Sequence, residues 1–359
     1  MNYRVETRYT LRYTPDSNEV SKRGPFDMLA ISAPVAREAA LTIESTLTRR
    51  LVMLSPIALG AAACASLPSG PPADDVFRNI ATLSESVHSG VASLDGQRRL
   101  TVRLCRYPDL GLAWIWVHAR TPAGFFSYVE HLAPCGRSAT PVESESVTYA
   151  DADRRIVFVR NGPVTKPAGA KITGACKAYR SAQSRLGDGT NRLEFAIDFT
   201  PARFYSGLNA GRTEVFGRSR ASVTVNDERF DIEGPAQFHE QRQTNPRFTQ
   251  PFAYGTLWGE DAASTLLVTA NRRDGYLLEG DKSEEIEAIR LGRPGQRRTL
   301  SLHLAGGRTL EGTATLVQSY TIPIVGNVWR GHMIQAELGG RTYFGSINDY
   351  LSDAVPYSD

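Results

Sequence analysis

The feature that most constrains the fold is a long succession of short runs in which polar and apolar residues alternate. These runs recur from about residue 84 onward and are separated by turn residues, while helical periodicity is almost absent. Alternation with a period of two is typical of β-strands, because successive side chains point to opposite faces. Many short strands at close spacing predict an antiparallel sandwich or barrel rather than βαβ units.

The strand predictions follow directly from these runs. Asn226 and Asp227 predict a turn between two of them, and the one helical pattern is short, over 75–83. The predicted strands are 98–106, 112–120, 125–132, 155–159, 193–199, 221–225, 230–243, 253–258, 265–270, 276–280, 286–291, 299–304, 310–318, 328–337 and 342–346.

The length of 359 residues suits two domains better than one. Residues 98–132 and 230–270 follow a similar order of strand, aromatic strand, tight loop and strand, which favours two related halves. The expected fold is all-β, with two antiparallel β-barrel or sandwich halves packed together and preceded by a signal segment. The expected division is an extension over 1–46, a signal segment over 47–64, a tether with a short helix over 65–83, and β domains over 84–215 and 216–359.

Residues 51–63 form an uncharged stretch that is shorter than the roughly 20 apolar residues of a membrane-spanning helix. Arg49 and Arg50 precede this stretch and small residues follow it, which is the order of a secretory signal. Since such signals begin near the start of translation, we expect translation to begin nearer Leu47 or Met53, with residues 1–46 not part of the natural protein.

The four residues 61–64 (AAAC) resemble the lipobox of bacterial lipoproteins, with alanine where leucine is usual. On that interpretation Cys64 is lipidated and holds the protein to a membrane of the bacterial cell envelope. Cleavage after an A-x-A pattern beside Cys64 would instead release a soluble periplasmic protein. Both outcomes predict an exported protein.

Several partner and cofactor classes are disfavoured. A formal net charge of +3 without any basic run predicts no nucleic-acid partner. The chain has no P-loop, no G-x-G-x-x-G and no G-x-S-x-G, so no cofactor is expected. The histidines are scattered and no C-x-x-C pair occurs, so no metal site is expected.

The predicted strand over 112–120 is the first candidate for a ligand site. Alternation places Trp114, Trp116, His118 and Arg120 on one face, which would form an apolar wall with a polar end. The same residues would equally suit a strand whose tryptophans pack on a neighbouring element. On the next strand Tyr128 and Glu130 share one face and His131 lies on the other. A slip of one residue exchanges these faces, so either Glu130 or His131 adjoins the tryptophans.

The second candidate is the segment 230–242. Gln237, His239 and Gln241 share one face, while Phe238, Glu240 and Arg242 share the other. A strand that is polar on both faces lies beside a wet cavity or at the surface, because unpartnered polar groups are costly in a dry core. His239-Glu240 does not indicate a metalloprotease, because Gln243 stands where a zincin helix needs histidine.

The segment 221–241 (ASVTVNDERFDIEGPAQFHEQ) resembles a pattern of the AttH and carotenoid 1,2-hydratase-like (hydroxyneurosporene synthase-like) proteins, which are two-domain, lipocalin-like proteins. The match consists of Val223 and Val225, the turn Asn226-Asp227, Phe230 and Ile232, Gly234, His239 and an aromatic strand over 252–258. The chain departs from the pattern in having Glu240-Gln241-Arg242 after the histidine. The resemblance implies an apolar, isoprenoid-like or polyketide-like ligand. It also implies cofactor-free hydration or cyclisation in some members and plain binding in others.

Three functions remain open at this point. The leading expectation is a lipocalin-like envelope protein that encloses an apolar small molecule between its two β domains. The ligand-binding residues would be Trp114, Trp116, His118, Arg120, Tyr128, Arg242, Tyr254 and Trp258, with polar contacts from His239 and Glu240. The alternative is a cofactor-free hydratase or cyclase acting on an isoprenoid-like alkene. Its catalytic residues would be Glu240 as the acid, Glu130 as the second candidate, and His239 orienting the acid or activating water. The third is an envelope scaffold without a ligand.

Overall fold

The structure is a computed structural model that describes residues 82–138, 143–206, 211–245, 248–324 and 326–358. The predicted signal segment, Cys64 and almost all of the predicted helix over 75–83 lie outside the described residues. Within the described ranges no helix is long and apolar enough to cross a membrane.

The described residues form a series of β-strands and two short 3-10 helices. The strands are β1 (Ser84–Ala92), β2 (Arg99–Tyr107), β3 (Leu112–Thr121), β4 (Gly124–Pro134), β5 (Ser146–Ala150), β6 (Ile156–Asn161), β7 (Gly169–Ala178), β8 (Asn191–Tyr205), β9 (Arg212–Val225), β10 (Glu228–Gln243), β11 (Phe252–Trp258), β12 (Ala262–Val268), β13 (Arg273–Glu279), β14 (Lys282–Leu291), β15 (Arg297–Leu304), β16 (Thr309–Ile324), β17 (Asn327–Leu338) and β18 (Arg341–Tyr350). The 3-10 helices span Pro108–Leu110 and Ser352–Ala354.

The strands build two bodies, and the predicted all-β fold is confirmed. The first body is a curled ten-stranded sheet with the order β4-β3-β2-β1-β10-β9-β8-β7-β6-β5. The second is a closed barrel of eight strands in sequential order, β11 to β18. Neighbouring strands are antiparallel in both bodies, including the pairs β1–β10 and β11–β18, which are distant in the sequence.

The passage from sheet to barrel lies later in the chain than the predicted division at 215/216, which falls inside β9. Asn226 and Asp227 form a two-residue turn that returns β10 alongside β9, with a positive φ of 53° at Asn226. Because a tight hairpin keeps both of its strands in one sheet, the first body extends to Gln243. The barrel then begins at Phe252.

Each body has its own apolar core, and two further clusters join the bodies. Sheet residues such as Trp116 pack with barrel residues such as Tyr320 in one joint cluster. In the other, Trp258 of the barrel covers Gly90 of β1 so closely that a Cβ there would lie 2.3 Å from its ring. Arg99 of β2 also donates to the carbonyl oxygen of Ile334 at 2.8 Å. The sheet and the barrel are therefore held together by buried contacts.

Candidate functional site

A cavity of about 300 Å³ lies where the sheet meets the barrel. Its walls come from β1, β2, β3, β9 and β10 on the sheet side and from β11, β12, β16, β17 and β18 on the barrel side. Residues 248–250, which connect the two bodies, complete the lining. Aromatic rings and buried polar side chains share the walls, a composition typical of small-molecule sites.

Strand alternation decides which residues of β10 reach the cavity. Gln237, His239 and Gln241 line it, while Glu240 points to the opposite face of the sheet. His88 of β1 pairs directly with His239 in the antiparallel ladder, and the two imidazoles stack with centroids 5.0 Å apart. Two histidines from adjacent strands thus stand side by side in the wall.

Arg212 fixes the protonation of His239. Its Nη2 lies 3.2 Å from Nδ1 of His239. A guanidinium has only donors, so Nδ1 must accept the hydrogen bond, and the neutral imidazole carries its proton on Nε2. The same arginine donates from Nη1 to Oε1 of Gln241 at 3.0 Å. One cation therefore sets both the tautomer of His239 and the orientation of the neighbouring amide.

Glu214 lies at the centre of a buried hydrogen-bond cluster, here named the Glu214 cluster. Its carboxylate accepts hydrogen bonds from the hydroxyls of Tyr254, Thr265 and Tyr276, which stand on three consecutive barrel strands. Nε of Arg212 donates to the same carboxylate at 2.7 Å. Burial alone raises the pKa of Glu214, but Arg212 and the hydroxyls outweigh it and hold that pKa below its usual value. An ionised carboxylate of the sheet thus holds Arg212 against the barrel.

Trp116 forms an aromatic wall of the cavity. The guanidinium of Arg103 lies 4.2 Å from the centroid of its ring, and Nε of Arg103 donates to Oγ of Ser86 at 3.2 Å. The indole Nε1 of Trp116 donates to Nε2 of His131 at 3.1 Å. The structure therefore decides the open register of β4 in favour of His131, which adjoins the tryptophans.

Burial strongly lowers the pKa of three histidines on this side of the sheet. Burial, assisted by the charge of Arg103, lowers the pKa of His88 and of His131 to about 3. Burial also lowers the pKa of His118 to about 3, and its ring stacks on Tyr320 at 4.0 Å. These three imidazoles are therefore neutral at neutral pH and offer hydrogen bonds rather than positive charge.

The structure brings four of the predicted site residues to the cavity wall. They are Trp116, His118, His239 and Tyr254. Trp114 stands behind them, where it stacks on His131 with the ring centroids 4.3 Å apart. Trp116 and His118 share one face of β3, while His239 lies on β10 and Tyr254 on β11.

Other predicted site residues face the interior of the curled sheet. Glu240 accepts hydrogen bonds from Tyr149 and from Nε of Arg160, the latter at 2.7 Å, in what we name the Glu240 cluster. Arg242, on the same face of β10, forms an ion pair of 2.8 Å with Glu85. Neither can reach the cavity, because neighbours of His239 on a strand point away from it.

Three further predicted residues, Tyr128, Glu130 and Arg120, also stand outside the cavity lining. Tyr128 points into the sheet core and accepts a hydrogen bond from Arg155 at 2.8 Å. Glu130 accepts one from the backbone N–H of Leu132 at 2.7 Å, near the surface. Arg120 donates to Oε1 of Gln97 at 3.0 Å.

Trp258 also stands outside the lining, where it packs between sheet and barrel over Gly90. Its indole Nε1 donates to Oγ1 of Thr256 at 3.0 Å. This tryptophan therefore contributes to the junction of the two bodies rather than to the cavity wall.

Four functional residues escaped the sequence prediction: His88, Arg103, Arg212 and Glu214. Arg212 and Glu214 are two positions apart, as residues on one strand face are, which is the signal that could have found them. In a sequence, such a charged pair more often indicates a solvated surface. Within the described part of the chain, no group of three or more His, Cys, Asp or Glu residues is arranged to hold a metal ion.

No protein-family model and no curated protein sequence matches this chain. Solved structures do match it, and among them are CghA, the candidate AttH NE1406 from Nitrosomonas europaea, and kievitone hydratase from Nectria haematococca. CghA is 11% identical with a TM-score of 0.48, and the match covers 76% of this chain and 89% of CghA.

The match to the candidate AttH has 11% identity, a TM-score of 0.48, and covers 83% of this chain and 99% of that one. The match to kievitone hydratase has 9% identity, a TM-score of 0.43, and covers 75% and 89% of the two chains. These three proteins are thus among the solved structures to which this chain is similar.

Proposed function

We propose that this protein is a cofactor-free hydratase or cyclase that acts on a small molecule with an apolar body bound between sheet and barrel. The observation that supports this most is the cavity of about 300 Å³, which combines aromatic walls with a fixed set of buried polar groups. Such a site places reactive atoms beside preset donors, which is a condition for catalysis by positioning and electrostatics.

The polar groups of the cavity define what the protein would do to its substrate. Arg212, held by Glu214, and His239, held as the Nε2–H tautomer, are rigid hydrogen-bond donors. In a hydration, the neutral imidazoles of His88 and His118 would orient the attacking water. In a cyclisation, the aromatic walls would hold the substrate chain folded so that its reacting ends meet.

Glu240, the candidate acid of the hydratase hypothesis, does not line the cavity. Glu240 lies on the opposite face of the sheet, so it cannot protonate a molecule in the cavity. The described lining holds no aspartate or glutamate. Polarisation of a substrate oxygen by hydrogen-bond donors of the lining is therefore the chemistry that the lining favours, in place of protonation of an isolated alkene.

Turnover can be tested by incubating the purified protein with a small-molecule extract of its natural host. Chromatography with mass spectrometry would then reveal a compound that gains the mass of one water, or an isomer that elutes at a new position. We expect wild type and Arg120→Gln to convert the compound and His239→Gln to lose at least nine-tenths of the rate. Equal conversion by His239→Gln would contradict this site.

A carrier is the second candidate, supported by the aromatic walls themselves, which suit storage as well as reaction. A carrier would release an unchanged host compound on denaturation and would alter nothing in the extract. The two functions are therefore separated by the same experiment.

We also propose that the protein is exported to the bacterial cell envelope, with Cys64 as the anchor to the membrane. The support is the order of basic, apolar and small residues before Cys64. Mass spectrometry of the protein from host membranes should find an acylated Cys64 at the new N-terminus. An unmodified peptide that spans residue 64 would refute processing at this site.

A further inference from the structure

The carboxamides of Gln241 and Gln243, on the sheet side of the cavity, are bonded to each other. Oε1 of Gln241 accepts a hydrogen bond from Arg212, and Nε2 of Gln241 donates to Oε1 of Gln243 at 2.7 Å. Nε2 of Gln243 donates in turn to the backbone oxygen of Asn245 at 2.9 Å. Both carboxamides therefore use their oxygen and their nitrogen within the protein, and this part of the wall needs no hydrogen bond from a ligand.

The carboxamide of Asn348, on the barrel side of the cavity, is arranged differently. Asn348 and Ser346 lie two positions apart on β18, so they share a face, and both line the cavity. Nδ2 of Asn348 donates to Oγ of Ser346 at 3.3 Å, which sets the orientation of the amide. Oδ1 of Asn348 has no hydrogen-bond partner among the described residues, although the residue is only 8% exposed. Such a buried oxygen is rare, because it has lost water without gaining another donor.

The neighbours of Asn348 on the adjacent barrel strand are bonded to other residues. In the ladder between β11 and β18, Tyr254 stands directly opposite Asn348, and Thr256 follows two positions along the same strand. The hydroxyl of Tyr254 donates to Glu214, and Oγ1 of Thr256 accepts from the indole N–H of Trp258 at 3.0 Å. Neither hydroxyl is bonded to Asn348, so its oxygen is left for a donor on a molecule that enters the cavity.

We infer that Oδ1 of Asn348 accepts a hydrogen bond from a hydroxyl of the ligand, and that the natural ligand is an apolar molecule bearing an alcohol or a phenol. This inference rests on the proposed function and names its substrate class. A ketone, an ether or a carboxylate fits less well, because its oxygen has no proton to donate. A hydroxyl oxygen can also accept a hydrogen bond from the neighbouring hydroxyl of Ser346, which an N–H group cannot do.

The test uses two small molecules with the same rings, β-naphthol and its methyl ether. The naphthol can donate a hydrogen bond, whereas the ether keeps the oxygen as an acceptor and has no proton on it. Each compound is titrated into the full-length protein by isothermal titration calorimetry. We expect the naphthol to bind at least about fivefold more tightly, which is the effect of one neutral hydrogen bond.

Variants assign the preference to one side chain. Asn348→Leu, which is similar in size and has no acceptor, should weaken binding of the naphthol about fivefold and leave the affinity for the ether unchanged. Asn348→Asp keeps an acceptor oxygen at the same position and should retain most of the preference. Asn161→Leu is the matched control, because it makes the same chemical change at an exposed residue outside the cavity lining, and it should change neither affinity.

The outcomes separate the two proposals. Equal affinity for both compounds, or a preference for the naphthol that survives Asn348→Leu, would overturn the inference about the hydroxyl while leaving the cavity as a ligand site. A marked loss of stability of ligand-free Asn348→Leu in urea would also overturn it, because the protein itself would then depend on that amide. Failure of both compounds to bind wild type would overturn the ligand site for molecules of this class, and the inference with it.

Discussion

Two buried carboxylates stand on opposite faces of the same pair of strands. Glu214 on β9 lies directly opposite His239 on β10, and Glu240 lies opposite Thr213, one position further along the ladder. Each carboxylate is paired with an arginine at 2.7 Å and bonded to at least one tyrosine hydroxyl. By composition the two clusters are nearly equivalent.

Their partners make them different. The Glu240 cluster draws Arg160 and Tyr149 from β6 and β5, so it ties the far edge of the curled sheet to its middle. The Glu214 cluster draws its hydroxyls from the barrel and holds Arg212 against His239. The buried ion pair on one face of these strands therefore stabilises the sheet, and the ion pair on the other face positions a residue of the cavity wall.

The largest effects are expected from neutralising each carboxylate. Glu214→Gln and Glu240→Gln each remove a buried carboxylate that is paired with an arginine, so each should lower the free energy of unfolding by about 3 kcal/mol. Urea denaturation measures this loss. Only Glu214→Gln should also weaken binding of a fluorescent probe, anilinonaphthalene sulfonate, in the cavity, because only that variant releases Arg212.

If both variants lose probe affinity equally after correction for the folded fraction, the two clusters do not differ in function as described. Loss of probe binding in Glu240→Gln alone would return that carboxylate to the functional site and reverse the assignment.

The junction between sheet and barrel should be nearly as sensitive. Gly90→Ala would place a Cβ 2.3 Å from the ring of Trp258, so we expect a loss of about 1–3 kcal/mol by overpacking. Gly136→Ala, with no heavy atom within 4 Å of the added Cβ, is the matched control and should be near neutral. Adding Trp258→Phe to Gly90→Ala should recover part of the loss, and no recovery would disprove this packing account.

The loss of folding stability at low pH should come from buried histidines on the barrel-facing side of the sheet. The pKa of His131 is about 3 in the folded protein against 6.5 for its usual value. The unfolded chain therefore binds more protons between these values, so stability falls as the pH drops from 6.5 toward 3. The slope contributed by one such histidine is at most about 1.4 kcal/mol per pH unit.

His131→Gln keeps an acceptor for the indole N–H of Trp116 and removes the titrating group. Unfolding measured from pH 4 to pH 7 should show a shallower slope for this variant than for wild type. An unchanged slope would mean that His131 does not carry the expected proton linkage.

The smallest effects are expected at the predicted site residues that lie away from the cavity lining. Arg120→Gln and Glu130→Gln should each change stability by less than about 0.5 kcal/mol, because their polar contacts are near the surface. Probe affinities should stay within error of wild type. A clear loss of probe binding in either variant would show that the site extends further than the cavity described above.

Much of the fold followed from the period-two pattern, but the predicted strands omitted β1, β5 and β7, of which β1 lies nearest the centre of the sheet. β1 (Ser84–Ala92) has polar residues on both faces, so its sequence (SESVHSGVA) lacks the alternation of the other strands. In the structure it lies between β2 and β10 in the sheet and supplies Ser86 and His88 to the cavity. Its polarity serves the site, which is why a pattern based on an apolar core missed it.

The sequence predicted only those features of the site that depend on the alternation within a single strand. Alternation along β10 placed His239 on the face that lines the cavity, and the same rule shows that Glu240 cannot share that cavity. The partners of Glu214 lie 40, 51 and 62 positions away in the sequence, on barrel strands. No local pattern indicates such a contact, because it depends on how the sheet packs against the barrel.

The most direct test of the central claim, that the cavity between sheet and barrel is the ligand site, is native mass spectrometry of the protein purified from its natural host. It should be run beside Leu267→Trp, which fills the cavity from the barrel wall. We expect wild type to carry an apolar small molecule that is released on denaturation, and Leu267→Trp to fold normally without it. A bound molecule that persists in Leu267→Trp would place the ligand elsewhere and contradict the account.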